Sequence, residues 1–467
     1  MPSHAAGFQT LDHEVSVDRL PVHGELPPWL GGSLIRTGPA RFEANGRSFN
    51  HWFDGQAMLH RFSFGDGAVA YANRELETRA DAAVRDGRIA FREFATDPCR
   101  SIFRRMVTMF SPGTTDNANV NLAKVGERFV AMTETPLPVE FDPHTLRALG
   151  VAESERADGE ITTAHPHHDA VREELVNYAI KLGPRSAYRV TGRSLSGGGR
   201  RTIARLPTRR PAYIHSFGLT ERFVVLAEFP FVVDPLRLAF ANRPFIENYR
   251  WEPERGTRIW VIDRGGDGVQ GPFETDAVFA FHHVNAFERD NEIVVDLCAY
   301  EDPEIVRAFY LDRLRASDQR FPMPWLERWR IDTAAKRVRR ERLADAAVEL
   351  PRIDYDRRNG RPYRFTYGGS VIADTTFLDR LVKVDVEDGS AAVWHEEGTY
   401  PGEPVFVPRP DGRAEDDGVA LSVVLDAEGG RSFLLVLDAD TFTERARAEV
   451  PHHIPFSFHG QYYGSLE

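Results

Sequence analysis

Four short, mostly apolar runs carry histidine: Thr163 to Pro166 with His165, Ile214 to Phe217 with His215, Phe281 to Val284 with the pair His282 and His283, and Phe458 to Gly460 with His459. None of these runs holds a cysteine or a carboxylate. Neutral imidazoles without thiolate suit a redox-competent first-row metal better than a structural zinc. Such a set points to a metal centre that reacts.

A histidine beside phenylalanine is ordinarily a core or surface residue. The chain has 16 histidines, and His167, His168, His283, His452 and His453 stand next to the candidates. These five are expected to be structural or exposed.

The elements that must carry the histidines read as β-strands. Runs at 128–133, 222–227, 258–263, 292–298, 419–424 and 432–437 are rich in Val, Ile, Leu and Phe, and Asp-Gly, Gly-Gly or Asp-Pro steps punctuate several of them. That is the pattern of repeated antiparallel hairpins. Helical periodicity is scarce, with candidates only at 236–241 and 303–316, the second after Asp302 as a cap. Many short strands in one chain call for a sandwich array, a barrel or a propeller. The steps between the four histidines are 50, 67 and 177 residues, the last close to three times the mean of the others. Seven units of about 67 residues would fill the 467-residue chain as decorated propeller blades. Ligands one blade apart, then two blades skipped, would converge on a central axis.

Composition bounds the partners. The chain is 42% hydrophobic and 27% charged, which describes a globular protein with a large core. A formal net charge of -12 argues against nucleic acid, whose phosphates need a basic surface. Cys99 and Cys298 are the only cysteines, which favours a reducing, cytoplasmic setting over a disulfide framework. No secretory leader pattern and no uncharged apolar stretch of membrane-spanning length is visible.

Five ordered motifs carry a resemblance: residues 50–60 (NHWFDGQAMLH), 163–169 (TAHPHHD), 213–220 (YIHSFGLT), 281–288 (FHHVNAFE) and 455–460 (PFSFHG). Together they resemble the carotenoid cleavage oxygenase family, over about residues 31–464. Residues 97–103 (DPCRSIF) and 400–406 (YPGEPVF) place the likeness in the branch of the animal β-carotene oxygenases and the retinoid isomerohydrolase.

The resemblance implies an all-β, seven-bladed propeller over residues 1–467, with a loop and short-helix cap over the active-site face. It implies iron(II), Fe(2+), on the axis, held by His165, His215, His282 and His459. Family members that keep only the first histidine of the pair select His282 over His283. Glu134, Glu349 and Glu403 match the glutamates that orient the family's ligands, a role in which a carboxylate fixes the ring and raises its basicity. Four imidazoles leave up to two octahedral positions open, so dioxygen could meet a substrate double bond without displacing a protein ligand. The implied reaction is cleavage of a carotenoid C=C bond, in β-carotene or an apocarotenoid, central cleavage giving retinal. Thr133 and Phe94 are assigned as catalytic residues and Phe53 to substrate binding.

Two other reactions stay open. A stilbene-cleaving branch tends to carry lysine where this chain has Thr133, and isomerohydrolysis of retinyl esters would use iron without net oxidation. A membrane-dwelling substrate also implies peripheral membrane contact. The mixed apolar and cationic stretches within 95–120 and 230–255 are the candidate cap and membrane-facing segments.

Overall fold

The computed structural model describes residues 3–98, 114–196, 199–240, 243–266, 268–316 and 318–467. Cys99 and the stretch 101–110, expected to face a membrane, lie outside the described residues.

All six expected runs are strands, as Arg128–Met132, Phe223–Glu228, Thr257–Asp263, Glu292–Tyr300, Gly418–Asp426 and Arg431–Asp438. They fall in four of the seven antiparallel sheets that follow one another along the chain as propeller blades. Blade one is built on Ser33–Arg41, Gln56–Gly65 and Ala68–Glu75, and blade two on Asn121–Val125 through Ala148–Val151. Blades three, four and five run from Ile161–Thr162 to Arg200–Pro207, from Gly218–Leu219 to Val269–Thr275, and from Phe279–Arg289 to Arg337–Ala347. Blade six spans Glu349–Arg352 to Ala391–Trp394, and blade seven Thr399–Pro401 to Glu444–Glu449.

Burial follows position within a blade. Arg431–Asp438 lies inside its sheet between neighbouring blades, and its apolar run is buried from Ser432 to Leu437. Arg337–Ala347 is an outer edge and reads RVRRERLADAA, half exposed. Charge along such an edge discourages pairing with another chain.

The ring closes by two exchanges. Gly460–Tyr463 joins blade one as its innermost strand, with Arg36 opposite Gly460 and Ser33 opposite Tyr463. Val22–Gly24 joins blade seven as its outermost strand, with Val22 opposite Ala448. Each end of the chain therefore completes a blade begun by the other.

Over one end of the axis lies a cap whose apolar cluster joins Phe8, Trp52, Tyr213, Phe281, Ile305 and Phe456. The helix expected at 236–241 is Pro235–Phe240. The helix expected over 303–316 is instead two short ones, Glu304–Ala308 and Leu311–Leu314. Tyr310 is extended between them (φ -67°, ψ 136°), because the 50–52 segment claims the backbone there: Trp52 donates to Phe309 O and Leu311 to Asn50 O. Asp302 does accept from the Glu304 amide at 2.8 Å, although Pro303 occupies the cap position.

Candidate active site

Each of the four histidines sits at the axial edge of a different blade. His165 lies between the two short inner strands of blade three, His215 just before Gly218–Leu219 of blade four, and His282 within Phe279–Arg289 of blade five. His459 directly precedes the closing strand of blade one. The four histidines thus lie on blades three, four and five, then one, with six and seven skipped, as the spacing suggested. In blade five the register slips between Ala280 and His283 and again between His283 and Asn285. Such bulges re-aim side chains, and here adjacent histidines serve different surroundings.

The side chains converge. One ring nitrogen from each of His165, His215, His282 and His459 lies within 4.8 Å of the others, an arrangement that could hold a metal ion. His165 Nε2 is 2.9 Å from His215 Nε2, and His282 Nε2 is 3.2 Å from His459 Nε2.

The three remaining blades supply the carboxylates. Glu134, after the second strand of blade two, faces His215 Nδ1 at 2.7 Å. Glu349, at the start of blade six, faces His282 Nδ1 at 2.5 Å, and Glu403 of blade seven faces His459 Nδ1 at 2.7 Å. Leu350, next to Glu349, has φ +51°, and its amide turns back onto the Glu349 carboxylate at 2.8 Å. Backbone held in that region is costly for a non-glycine residue and is characteristic of functional sites. His165 is hydrogen-bonded to no carboxylate among the described residues; Thr163 Oγ1 accepts from its backbone amide at 3.0 Å.

These bonds settle the tautomers. A carboxylate accepts, so Nδ1 carries the proton in His215, His282 and His459, and each Nε2 turns a lone pair inwards. Two lone pairs at 3.2 Å repel unless a cation lies between them. The donor set therefore fits a metal ion, and its four neutral nitrogens would hold one without a charged ligand.

Electrostatics favour the neutral rings. Burial drives His165 well below the ordinary histidine range, with the other three rings adding to the effect, and lowers His459 to about 4 against the pull of Glu403. Burial opposes ionisation of Glu403, yet Arg352, His459 and Arg36 outweigh it and hold the carboxyl down to about 2. Arg36 is 1% exposed and reaches Glu403 Oε2 at 3.4 Å, Ser457 Oγ at 3.0 Å and Phe458 O at 3.0 Å. Arg352 Nη1 lies 3.6 Å from Glu403 Oε1. Gly460 makes this possible, because a Cβ there would stand 2.5 Å from Arg36 Cγ and 2.9 Å from Ile35 O.

The cluster opens on one side into a cavity under the cap. His215, His282 and His459 border it, as do Thr133, Phe94 and Phe53, so every assigned pocket residue faces the same space. Its walls are mainly apolar and rich in aromatic rings, including Trp52, Phe245, Phe281, Phe309, Phe377 and Phe458. The rings of Phe53 and Phe94 are 5.0 Å apart, and Phe53 meets Phe458 edge-on at 5.0 Å.

Sequence reasoning overlooked several residues. Tyr213 donates its hydroxyl to Glu134 Oε1 at 2.8 Å, and its motif position two residues before His215 was a usable signal. Arg36 offered none, being one of many arginines in strands. Of the five neighbouring histidines, His167 is bonded to Phe217 O and Tyr355, His168 is exposed, and His452 is buried at the closure of the ring.

Comparison with known proteins agrees with the geometry. Residues 8–464 match the family model described as RPE65, retinal pigment epithelial membrane protein. The chain is 33% identical to the β,β-carotene 15,15'-dioxygenase of Rattus norvegicus, covering 95% of this chain and 88% of that one. It is also 33% identical to the carotenoid isomerooxygenase of Galleria mellonella, covering 94% and 92%. Among solved structures, cobalt-substituted Synechocystis ACO superposes with a TM-score of 0.89 at 28% identity, covering 99% of this chain and 98% of that one. With the match running almost end to end and the four histidines gathered on the axis, the chain belongs to the RPE65/carotenoid oxygenase family.

Proposed function

We propose that this protein is a non-haem iron(II) dioxygenase that cleaves a C=C bond of a carotenoid, β-carotene or an apocarotenoid, into two carbonyl products, with central cleavage giving retinal. One observation carries the reading: the open side of the four-histidine cluster forms the end of an aromatic-walled cavity. The named relatives that process β-carotene and other carotenoids support it.

His165, His215, His282 and His459 would hold the metal, and an all-nitrogen neutral set suits iron(II) better than the hard ions that prefer carboxylates. When bound, the metal supplies the activation that dioxygen needs before it reacts with a closed-shell polyene. The remaining work belongs to the protein. Glu134, Glu349 and Glu403 hold three imidazoles in one orientation and keep their Nδ1 protons in place. Phe53, Phe94 and Phe281 offer ring faces and edges to a conjugated rod and exclude water from the scissile bond. Thr133 keeps the wall beside Glu134 neutral, where a lysine would charge it.

The cap supplies a route for a membrane-dwelling substrate. Leu236 is 59% exposed on the short cap helix beside the exposed Arg237, and Leu238 and Phe245 of the same segment line the cavity. An apolar side chain next to a cation suits the headgroup interface. No described helix is long and apolar enough to cross a membrane, so this contact would be peripheral.

Protein loaded with iron(II) in air should bleach β-carotene in detergent micelles and release retinal, with oxygen from labelled dioxygen in both carbonyls. An intact polyene alongside consumed stilbene overturns the substrate assignment. Anaerobic turnover of a retinyl ester replaces oxidative cleavage with isomerohydrolysis.

A further inference from the structure

The histidine cluster has a second approach. On the side away from the cap, a funnel of about 600 Å³ reaches His165, His282 and His459, whereas the aromatic cavity, of about 260 Å³, reaches His215, His282 and His459. His282 and His459 border both spaces, so the metal site is the partition between them. The funnel is more polar than the cavity: Lys124, Arg352, Asp354, Asp356 and Gln461 contribute to its wall. A hydrated divalent ion would cross a mostly apolar surface in the cavity, where Glu93, Glu134 and Glu160 are interrupted by aromatic walls, while the funnel offers dipoles and carboxylates over a larger share of its wall.

His283 stands in this funnel with a fixed tautomer. Ser216 Oγ donates its single proton to Phe281 O at 2.7 Å and accepts from the His283 backbone amide at 2.8 Å. Its contact of 2.9 Å with His283 Nδ1 must therefore be donated by the ring, which leaves the lone pair on Nε2. That Nε2 is buried and has no hydrogen-bond partner among the described residues. His167, by contrast, has both ring nitrogens engaged, with Phe217 O at 2.8 Å and Tyr355 Oη at 2.9 Å. A buried imidazole lone pair left unpaired carries a cost unless something visits it.

We propose that the metal ion enters and leaves the four-histidine site through this funnel, with the His283 ring, which borders it, swinging its buried Nε2 into the path as a transient ligand. The proposal rests on the reading that the four histidines hold a metal, and the experiment separates the two. The probe is cobalt(II) alone, added to chelator-stripped full-length protein and followed by its visible absorption; release is followed into excess chelator.

His283→Asn preserves the donor to Ser216 and removes the Nε2 lone pair, and Ser465→Trp narrows the exposed mouth of the funnel. Both variants should slow uptake and release by roughly tenfold while one metal per chain is still bound. Filling the aromatic cavity with a saturated long-chain detergent should leave these rates unchanged. Unchanged rates in both variants, or slowing by the detergent, would overturn the route. Loss of metal stoichiometry in His283→Asn would make His283 a resident ligand and overturn its transient role. If the unaltered protein binds no cobalt, the metal-centre reading itself has failed.

Discussion

His282 and His459, 177 residues apart, face each other Nε2 to Nε2 at 3.2 Å, each ring held from behind by its own glutamate. Blade five and the closing strand of blade one thus meet at a single point on the axis. The relationship binds the fold to the chemistry, because any slip in ring closure moves His459 out of register with the other three. Four blades contribute imidazoles and the other three contribute carboxylates, so every blade has a stake in the centre.

The carboxylates should tune affinity without being ligands. Glu134→Gln and Glu349→Gln are each expected to weaken metal binding by roughly 10- to 100-fold, measured by competition with a chelator. Equal affinity in both variants and the unaltered protein would show that the rings are oriented without them.

Glu403 differs from its two counterparts because Arg36 and Arg352 converge on it. Glu403→Gln leaves the buried Arg36 guanidinium without its counter-charge, and a loss of about 3–5 kcal/mol in folding stability is expected on top of weaker metal binding. Denaturant unfolding of the metal-free protein should show this loss for Glu403→Gln and a smaller one for Glu134→Gln.

Acid should act in opposite directions on two neighbours in the cap. Burial lowers His51 to about 3, while Nε2–H donates to Val306 O at 2.9 Å and Nδ1 accepts from the Phe53 amide at 3.1 Å. Between pH 6.5 and about 3 the unfolded chain holds a proton that folded His51 refuses, so stability falls as pH falls. Burial raises Asp54 to about 7, so between pH 7 and about 4 the folded chain holds the extra proton and stability rises as pH falls. Each slope is at most about 1.4 kcal/mol per pH unit, and the two largely cancel in the native pair. Unfolding titrations should therefore show Asp54→Asn losing ground to the unaltered protein as pH drops from 7 to 4, and His51→Gln gaining on it.

The cavity wall makes a specificity prediction. Thr133→Lys places a cation against aromatic rings and should lower turnover of a hydrocarbon polyene by about tenfold or more, since a buried unpaired charge is costly. Phe94→Ala should reduce kcat/KM for the polyene through lost ring contacts with Phe53 and Tyr213. A product panel run with β-carotene and a phenolic stilbene would show whether Thr133→Lys moves preference towards the phenol.

The four-histidine cluster was legible in the sequence because each histidine lies in a short motif, and the strands were legible because apolar runs and turn residues act locally. The spacing also distributed the four histidines over separate blades, since the blades follow one another in chain order even though blade two, Asn121 to Val151, is far shorter than blade five, Phe279 to Ala347. What pairs across the axis is another matter. The sequence contains Glu134, Glu349 and Glu403, but the bond from each to its own histidine exists only once blades two, six and seven stand beside their neighbours. Arg36 gains its role only when the last strand closes over it at Gly460. The break at Tyr310 reflects competition from residues 50–52, far away in the chain, which outweighs local helical preference. His282 and His283 are the clearest case: adjacent in sequence and alike in chemistry, they are separated in role by a bulge and by Ser216, contacts that only the tertiary structure brings together.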